Sequence, residues 1–257
     1  MNRLGLLARH LPSSHRRAIM TNASSSSAII GSSWKEVPLG PPDAILGITE
    51  AYKADPSPAK INLGVGAYRD DQGRPYVLQA VRKAEELMMS RGLDKEYAGI
   101  AGVPDFVKVS AQLAYGKDNP VLANKQVACV QSISGTGALR IGTAFLARFH
   151  RGNRTVYLPD PTWGNHGAIV KDCGLSVANY RYFDKRSNGL DLEGMLADLK
   201  AAPSQSIILL HACAHNPTGV DPRPEQWEAI SQAIRDRQHT VFFDMAYQGF
   251  ASGDCDR

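Results

Sequence analysis

Four short segments carry residue types that do chemistry, and each follows an apolar run. Asp244 ends the run Thr240-Val241-Phe242-Phe243. An acid delivered to the rim of a buried strand is unfavourable unless a positive group faces it. A protonated pyridine nitrogen is such a group. The phenol of Tyr247, three residues on, suits an oxygen on the same ring. Ser134-Gly135-Thr136-Gly137 offers small residues where backbone N–H groups can approach an anion, with the positive end of a helix behind them. That spacing predicts a phosphate site, while a glycine-rich turn of this kind also occurs for steric reasons alone. No G-K-[ST] follows it and the G-x-G-x-x-G spacing is missing, so it is neither a nucleotide P-loop nor a dinucleotide fingerprint.

Asp160-Pro161-Thr162-Trp163-Gly164-Asn165-His166 follows another apolar stretch. Trp163 can stack on a flat heteroaromatic ligand or simply pack in a core, and His166 can serve the site or cap the next helix. His211 to Gly219 reads HACAHNPTG, and Asn-Pro-Thr-Gly is sound turn chemistry with no ligand at all. His211 and His215 lie at a strand-to-loop junction with neither a helical face nor a third ligand in sequence, so no metal is expected.

The elements that must position these loops alternate. A short apolar helix over Ala44 to Ala51 stops before Pro56 and Pro58. Lys60 to Arg74 predicts a strand, a glycine-rich bend and a hairpin-like turn. Ala80, Ala84 and Leu87, with Val81 and Met88 beside them, predict a helix over Gln79 to Arg91. Strands are predicted at Val127 to Ile133, Thr155 to Leu158, Ser176 to Phe183, Ser206 to His211 and Thr240 to Phe243. Helices are predicted at Thr136 to His150, with Leu139, Thr143, Leu146 and Phe149 in register, and at Asn165 to Asp172, Leu190 to Ala201 and Pro224 to Arg237. This alternation predicts an α/β fold with a mostly parallel sheet covered on both faces. Ligands in such sheets sit outside the carboxyl ends of the strands, where the unusual residues cluster.

Composition narrows the classes. A hydrophobic fraction of 43% and a charged fraction of 21% are ordinary for a soluble domain. No apolar run approaches the roughly 20 residues of a membrane span. The first acid is Glu36, and Arg3, Arg9, Arg16 and Arg17 precede it with Leu4, Leu7, Leu11 and the run Ser24 to Ser27. That is the composition of an organelle transit peptide, with a merely disordered tail as the alternative. Setting those arginines aside takes the net charge from +4 to 4 − 4 = 0, which argues against a nucleic-acid surface. Cys129, Cys173, Cys213 and Cys255 form no C-x-x-C pair and suggest neither a disulfide framework nor a zinc site.

SGTGAL (Ser134 to Leu139), PTWGNH (Pro161 to His166), HNPTG (His215 to Gly219) and FFDMAYQGF (Phe242 to Phe250) together resemble the aspartate aminotransferases. NLGVGAYRDDQG (Asn62 to Gly73) and EYAGIAGVPDF (Glu96 to Phe106) resemble the same family, and SSWKEVPLGPPDAILGITEAYKAD looks like its mitochondrial branch. The resemblance runs from about Ser33 to the last residue. It implies the type I fold of pyridoxal-phosphate transferases, with a transit peptide over 1–30, an arm and part of a small domain over 31–75, and an incomplete large domain over 76–257. It implies the cofactor pyridoxal 5'-phosphate. Asp244 would pair with the ring nitrogen, His166 would orient Asp244, and Trp163 would stack on the ring. Asn216 and Tyr247 would donate to the ring's phenolic oxygen, while Ser134, Gly135 and Thr136 would hold the phosphate. Gly66, Trp163 and Asn216 would meet the substrate's α-carboxylate. Tyr97 would reach the phosphate of the neighbouring subunit in a homodimer. The activity implied for the parent enzyme is L-aspartate plus 2-oxoglutarate to oxaloacetate plus L-glutamate, in the mitochondrial matrix or, alternatively, a plastid.

No lysine follows Asp244, and the family's Schiff-base lysine falls beyond that aspartate. No catalytic residue is therefore assigned, and the isolated chain is expected to be inactive. The alternative is a non-catalytic truncated isoform that binds pyridoxal phosphate weakly or pairs with full-length subunits.

Overall fold

A computed structural model describes Val37, residues 44–62 and residues 66–255. The expected transit peptide lies outside the described residues. Two compact units are present, Met1–Asp94 and Lys95–Arg257. This division follows packing and differs in kind from the family division expected after residue 75.

In the first unit, α1 spans Ala44–Ala54. It stops where Ser57 N–H turns back onto the Asp55 carboxylate at 2.8 Å, between the two prolines. The hairpin-like turn forms: Arg69 bridges Pro75 in antiparallel fashion. Asp70 closes it, accepting from Gln72 N at 3.0 Å and Arg74 N at 2.9 Å. The strand expected before it is not formed at the described positions, which have no ladder partner. Helix α2 spans Gln79–Ser90 and has no buried residue. Its apolar stripe is present in sequence, but Val81, Leu87 and Met88 remain largely exposed.

The second unit opens with two helices that the strand–helix rhythm does not anticipate. They are α3 (Pro104–Tyr115) and α4 (Pro120–Ala123), each with proline in its first turn. Gly116 ends α3 with φ 83°, so proline inside the start and glycine past the end were the legible signal. The strand expected at Val127 to Ile133 does not form. Gln131 N–H donates to Ala101 O at 2.8 Å, but no strand of the sheet lies alongside, and extended backbone without a ladder is not a strand.

From there the alternation holds. The order is α5 (Ser134–Phe149), β1 (Thr155–Asp160), α6 (Asn165–Asp172), β2 (Ser176–Arg181), β3 (Phe183–Asp184), β4 (Gly189–Leu190), α7 (Leu192–Ala201), β5 (Ile207–His211), α8 (Pro224–Asp236) and β6 (Thr240–Asp244). The single strand expected over Ser176 to Phe183 breaks at Tyr182, because Phe183 and Asp184 pair with Leu190 and Gly189 instead. The main sheet has order β2-β1-β5-β6, and all its pairs are parallel.

Both faces are covered. Ile208 and Leu210 pack with Tyr180, Met195, Leu199, Ile230 and Ile234 beneath α7 and α8. Ile207 and Leu209 point the other way, to Val156, Leu158, Leu139, Ile169 and Val170 beneath α5 and α6. All five residues of β5 are buried, as a central parallel strand requires. Leu139 and Thr143 on α5 are buried as the register predicts, but Phe149 at the helix end stays half exposed. Midway along α5, Gly142 lets the Phe242 ring in: a Cβ there would stand 2.8 Å from the ring.

Two contacts orient α5. His150 at its carboxyl end meets Thr240 at the start of β6, with Nδ1 and Oγ1 3.4 Å apart, and Gly142 meets Phe242. The helix therefore runs antiparallel to the strand. Eight residues of helix from Gly142 back to Ser134 cover about 12 Å, whereas Phe242 to Asp244 covers about 7 Å. The amino end of α5 thus reaches past the carboxyl rim of β6.

Candidate active site at the carboxyl rim of the sheet

Asp244 is the last residue of β6 and shares the face of Phe242, towards α5 and α6. His166, in the first turn of α6 and buried, places Nε2 3.0 Å from Asp244 Oδ2. Thr162 Oγ1 lies 2.7 Å from the other ring nitrogen, Nδ1. An ionised carboxylate only accepts, so His166 Nε2 carries hydrogen and donates to Asp244, while the Thr162 hydroxyl faces Nδ1. The His166 hydrogen bond, outweighing burial, holds the Asp244 carboxyl below its usual range. Its second oxygen, Oδ1, accepts nothing from the described residues. A fixed, ionised carboxylate with one vacant oxygen is what this rim offers to a positive group.

Trp163 packs against the core on this face and meets the His166 ring edge-on, with centroids 5.4 Å apart. The core-packing reading holds for part of the indole, and the rest of it is open. The amino end of α5 lies uncapped by any side chain. Gly137 N–H is already bonded to Ile133 O. The amides of Ser134, Gly135 and Thr136 are the ones without an intrahelical partner. Ser134 takes φ 58°, and Ser132 Oγ holds its carbonyl at 3.2 Å.

The loop after β5 completes the rim. His211 pairs in register with Asp244, and Asn216 N–H donates to His211 Nδ1 at 3.1 Å. His211 and His215 rings stack with centroids 4.2 Å apart, and His215 stacks on Tyr182 at 4.0 Å. Burial first, then the neighbouring histidines, lowers His211 to about 4 and His215 to about 3. Both rings are neutral at physiological pH. Burial, then the Asp221 charge, pushes the Cys213 thiol up, away from reactivity.

The absence of a third ligand, inferred from sequence, is corrected in space. Donor atoms of His166, His211 and Asp244 lie within 4.8 Å of one another. The hydrogen bonding speaks against ligation. His211 Nδ1 accepts from a backbone N–H, so the neutral ring carries its hydrogen on Nε2 and has no lone pair there for a metal.

Half-buried Tyr247 follows β6. Tyr97 is fully exposed. Gly66 is exposed and belongs to the first compact unit.

This rim can be set beside known proteins. The family described as aminotransferase class I and II matches residues 58–257. The chain belongs to that family. It is 56% identical to the mitochondrial aspartate aminotransferase of Xenopus tropicalis over 224 residues, 87% of this chain and 52% of that one. It is 52% identical to the mitochondrial enzyme of Gallus gallus over 252 residues, 98% of this chain and 58% of that one. Among solved structures, the cytoplasmic aspartate aminotransferase of Saccharomyces cerevisiae superposes with TM-score 0.81 at 44% identity, covering 88% of this chain and 55% of that chain. An aromatic amino acid aminotransferase of Burkholderia cenocepacia does so with TM-score 0.79 at 40% identity, covering 84% and 54%. The chain thus spans about half the length of the curated relatives it matches.

Within this aminotransferase chain, three polar contributors escaped the sequence reading. Thr162 was legible only as part of PTWGNH, and Tyr182 only as the end of a strand. Asp221 lies beyond the HNPTG turn and is tied to it by hydrogen bonds that no periodicity encodes.

Proposed function

We propose that the whole protein is an aspartate aminotransferase working with pyridoxal 5'-phosphate, converting L-aspartate and 2-oxoglutarate to oxaloacetate and L-glutamate. When bound, the cofactor supplies an electron sink, because its protonated ring draws density from the substrate's α-carbon. The protein's part is to hold, orient and charge that ring. Asp244 would pair with the ring nitrogen and keep it protonated, with His166 fixing the carboxylate through Oδ2. Trp163 would stack on the ring. The amides of Ser134, Gly135 and Thr136 would receive the phosphate at the positive end of α5. Asn216 and Tyr247 would donate to the phenolic oxygen, and Trp163 and Asn216 would meet the substrate's α-carboxylate. Tyr97 serves the site of a second subunit in a homodimer.

The observation that carries this reading is the Asp244 carboxylate: ionised, held at one oxygen by a buried histidine and, among the described residues, bonded to nothing at the other. The preference for aspartate rests on the curated relatives at 56% and 52% identity, which are named aspartate aminotransferases. The mitochondrial matrix rests on the leader's composition and on relatives named mitochondrial.

Equilibrium dialysis of pyridoxal phosphate against the 257-residue chain tests the core of it. Asp244→Asn removes a charge-assisted bond of about 1.5–3 kcal/mol, so affinity should fall about 10- to 150-fold. Equal binding by the variant would overturn the pairing of Asp244 with the ring.

A further inference from the structure

The loop leaving β5 must abandon the sheet, and its amides lose their ladder partners there. Three consecutive amides are instead satisfied by side chains. Ala214 N–H donates to Asp221 Oδ2 at 2.7 Å, His215 N–H to Asp221 Oδ1 at 2.9 Å, and Asn216 N–H to His211 Nδ1 at 3.1 Å. One carboxylate thus spans the two residues just before Asn216. It also holds Ala214 at φ 46°, a left-handed conformation that residues with a Cβ rarely adopt. The loop is tightened again where Gly219 N–H returns to His215 O at 2.7 Å. Asp221 is half-buried and has no part in the proposed chemistry. Its work is on the backbone that carries Asn216.

We propose that Asp221 is a positioning residue: its two oxygens clamp the Ala214 and His215 amides and thereby aim the Asn216 side chain at the cofactor's ring oxygen. This rests on the reading of Asn216 given above. Asp221→Asn keeps the shape but turns one acceptor into a donor facing an N–H, so one bond is lost and a repulsion gained. The test is a double-mutant cycle on pyridoxal phosphate affinity, measured by equilibrium dialysis of the 257-residue chain with Asp221→Asn, Asn216→Ala and both. Asp221→Asn should weaken binding about tenfold in the native background and hardly at all once Asn216 is gone. A merely structural clamp would weaken both backgrounds alike, and that result, or unchanged binding by Asp221→Asn, overturns the proposal.

A second measurement needs neither variant nor cofactor. Amide hydrogen exchange of the wild-type chain should show Ala214 and His215 slowed at least about tenfold relative to unstructured peptide. Exchange at the unstructured rate overturns the clamp. If the wild-type chain binds no pyridoxal phosphate, the functional reading fails and this inference falls with it. Normal binding with an unresponsive Asp221 sinks this inference alone.

Discussion

Acidification should destabilise this chain well above the range where carboxylates titrate. His211 and His215 are 6% and 1% exposed, stacked on one another, and kept neutral by burial with values of about 4 and 3. Their ordinary value is 6.5. A depressed value means that the stabilisation is fully present above 6.5 and is lost as pH falls from there towards 4 and 3. Asp244 is depressed too, but its window lies below the ordinary 3.8 and does not overlap the start of this one. At about pH 5.5 the unfolded chain gains about 1.4 kcal/mol per histidine that the fold keeps neutral, so the pair removes about 3 kcal/mol relative to pH 8. Against an ordinary domain stability of about 5–15 kcal/mol, that is a large share. Urea unfolding followed by tryptophan fluorescence at the two pH values reads it as a lower midpoint at unchanged slope. His215→Phe keeps a ring in the stack but cannot titrate, and it should halve the loss. A stability constant to within about 0.5 kcal/mol across that range would refute the neutral, buried state of these rings.

Gly142→Ala places a methyl carbon 2.8 Å from the Phe242 ring. Overpacking of about 1–3 kcal/mol, less about 1 kcal/mol of helix propensity, should leave a net loss of up to about 2 kcal/mol in chemical denaturation. The loss should vanish in a Phe242→Leu background, and persistence there would place the clash elsewhere. Asp191→Ala removes the cap of α7, whose Oδ1 accepts from Gly194 N at 2.8 Å. It should lower stability by about 1 kcal/mol, and an unchanged melt would mean that water caps that helix as well. A polypeptide of these 257 residues has no lysine after Asp244 to carry a proton at the α-carbon. Aspartate and 2-oxoglutarate given to verified-length protein should therefore not be turned over, and a coupled oxaloacetate assay above background would refute this.

The parts of the site legible in sequence were those with local signatures. Asp244 stood out because an apolar strand ended in an acid, and the Ser134 turn because small residues stood between two elements. Helix α6 and strand β5 were legible to within a residue from periodicity and apolar runs alone. Val127 to Ile133 misled for the same reason: its residues suit a strand, but a strand exists only if another lies beside it. Helices α3 and α4 interrupted a rhythm that was read as continuous, although Pro104 and Gly116 marked the ends of α3.

From α5 onward, the order of the elements, the faces they bury and the rim where chemistry collects follow local patterns, and the amino-acid sequence determined most of them. The pairings at that rim belong to the tertiary structure. His166 and Asp244 are 78 residues apart and meet because β1, β5 and β6 lie side by side in parallel, which brings their carboxyl ends together. Likewise, which nitrogen of His211 holds hydrogen is settled by the amide of Asn216, and the path of that loop by the carboxylate of Asp221. Periodicity encodes which side of an element is buried. Only the packed sheet decides which buried polar atom faces which, because hydrogen bonds depend on distances between elements that no local pattern contains.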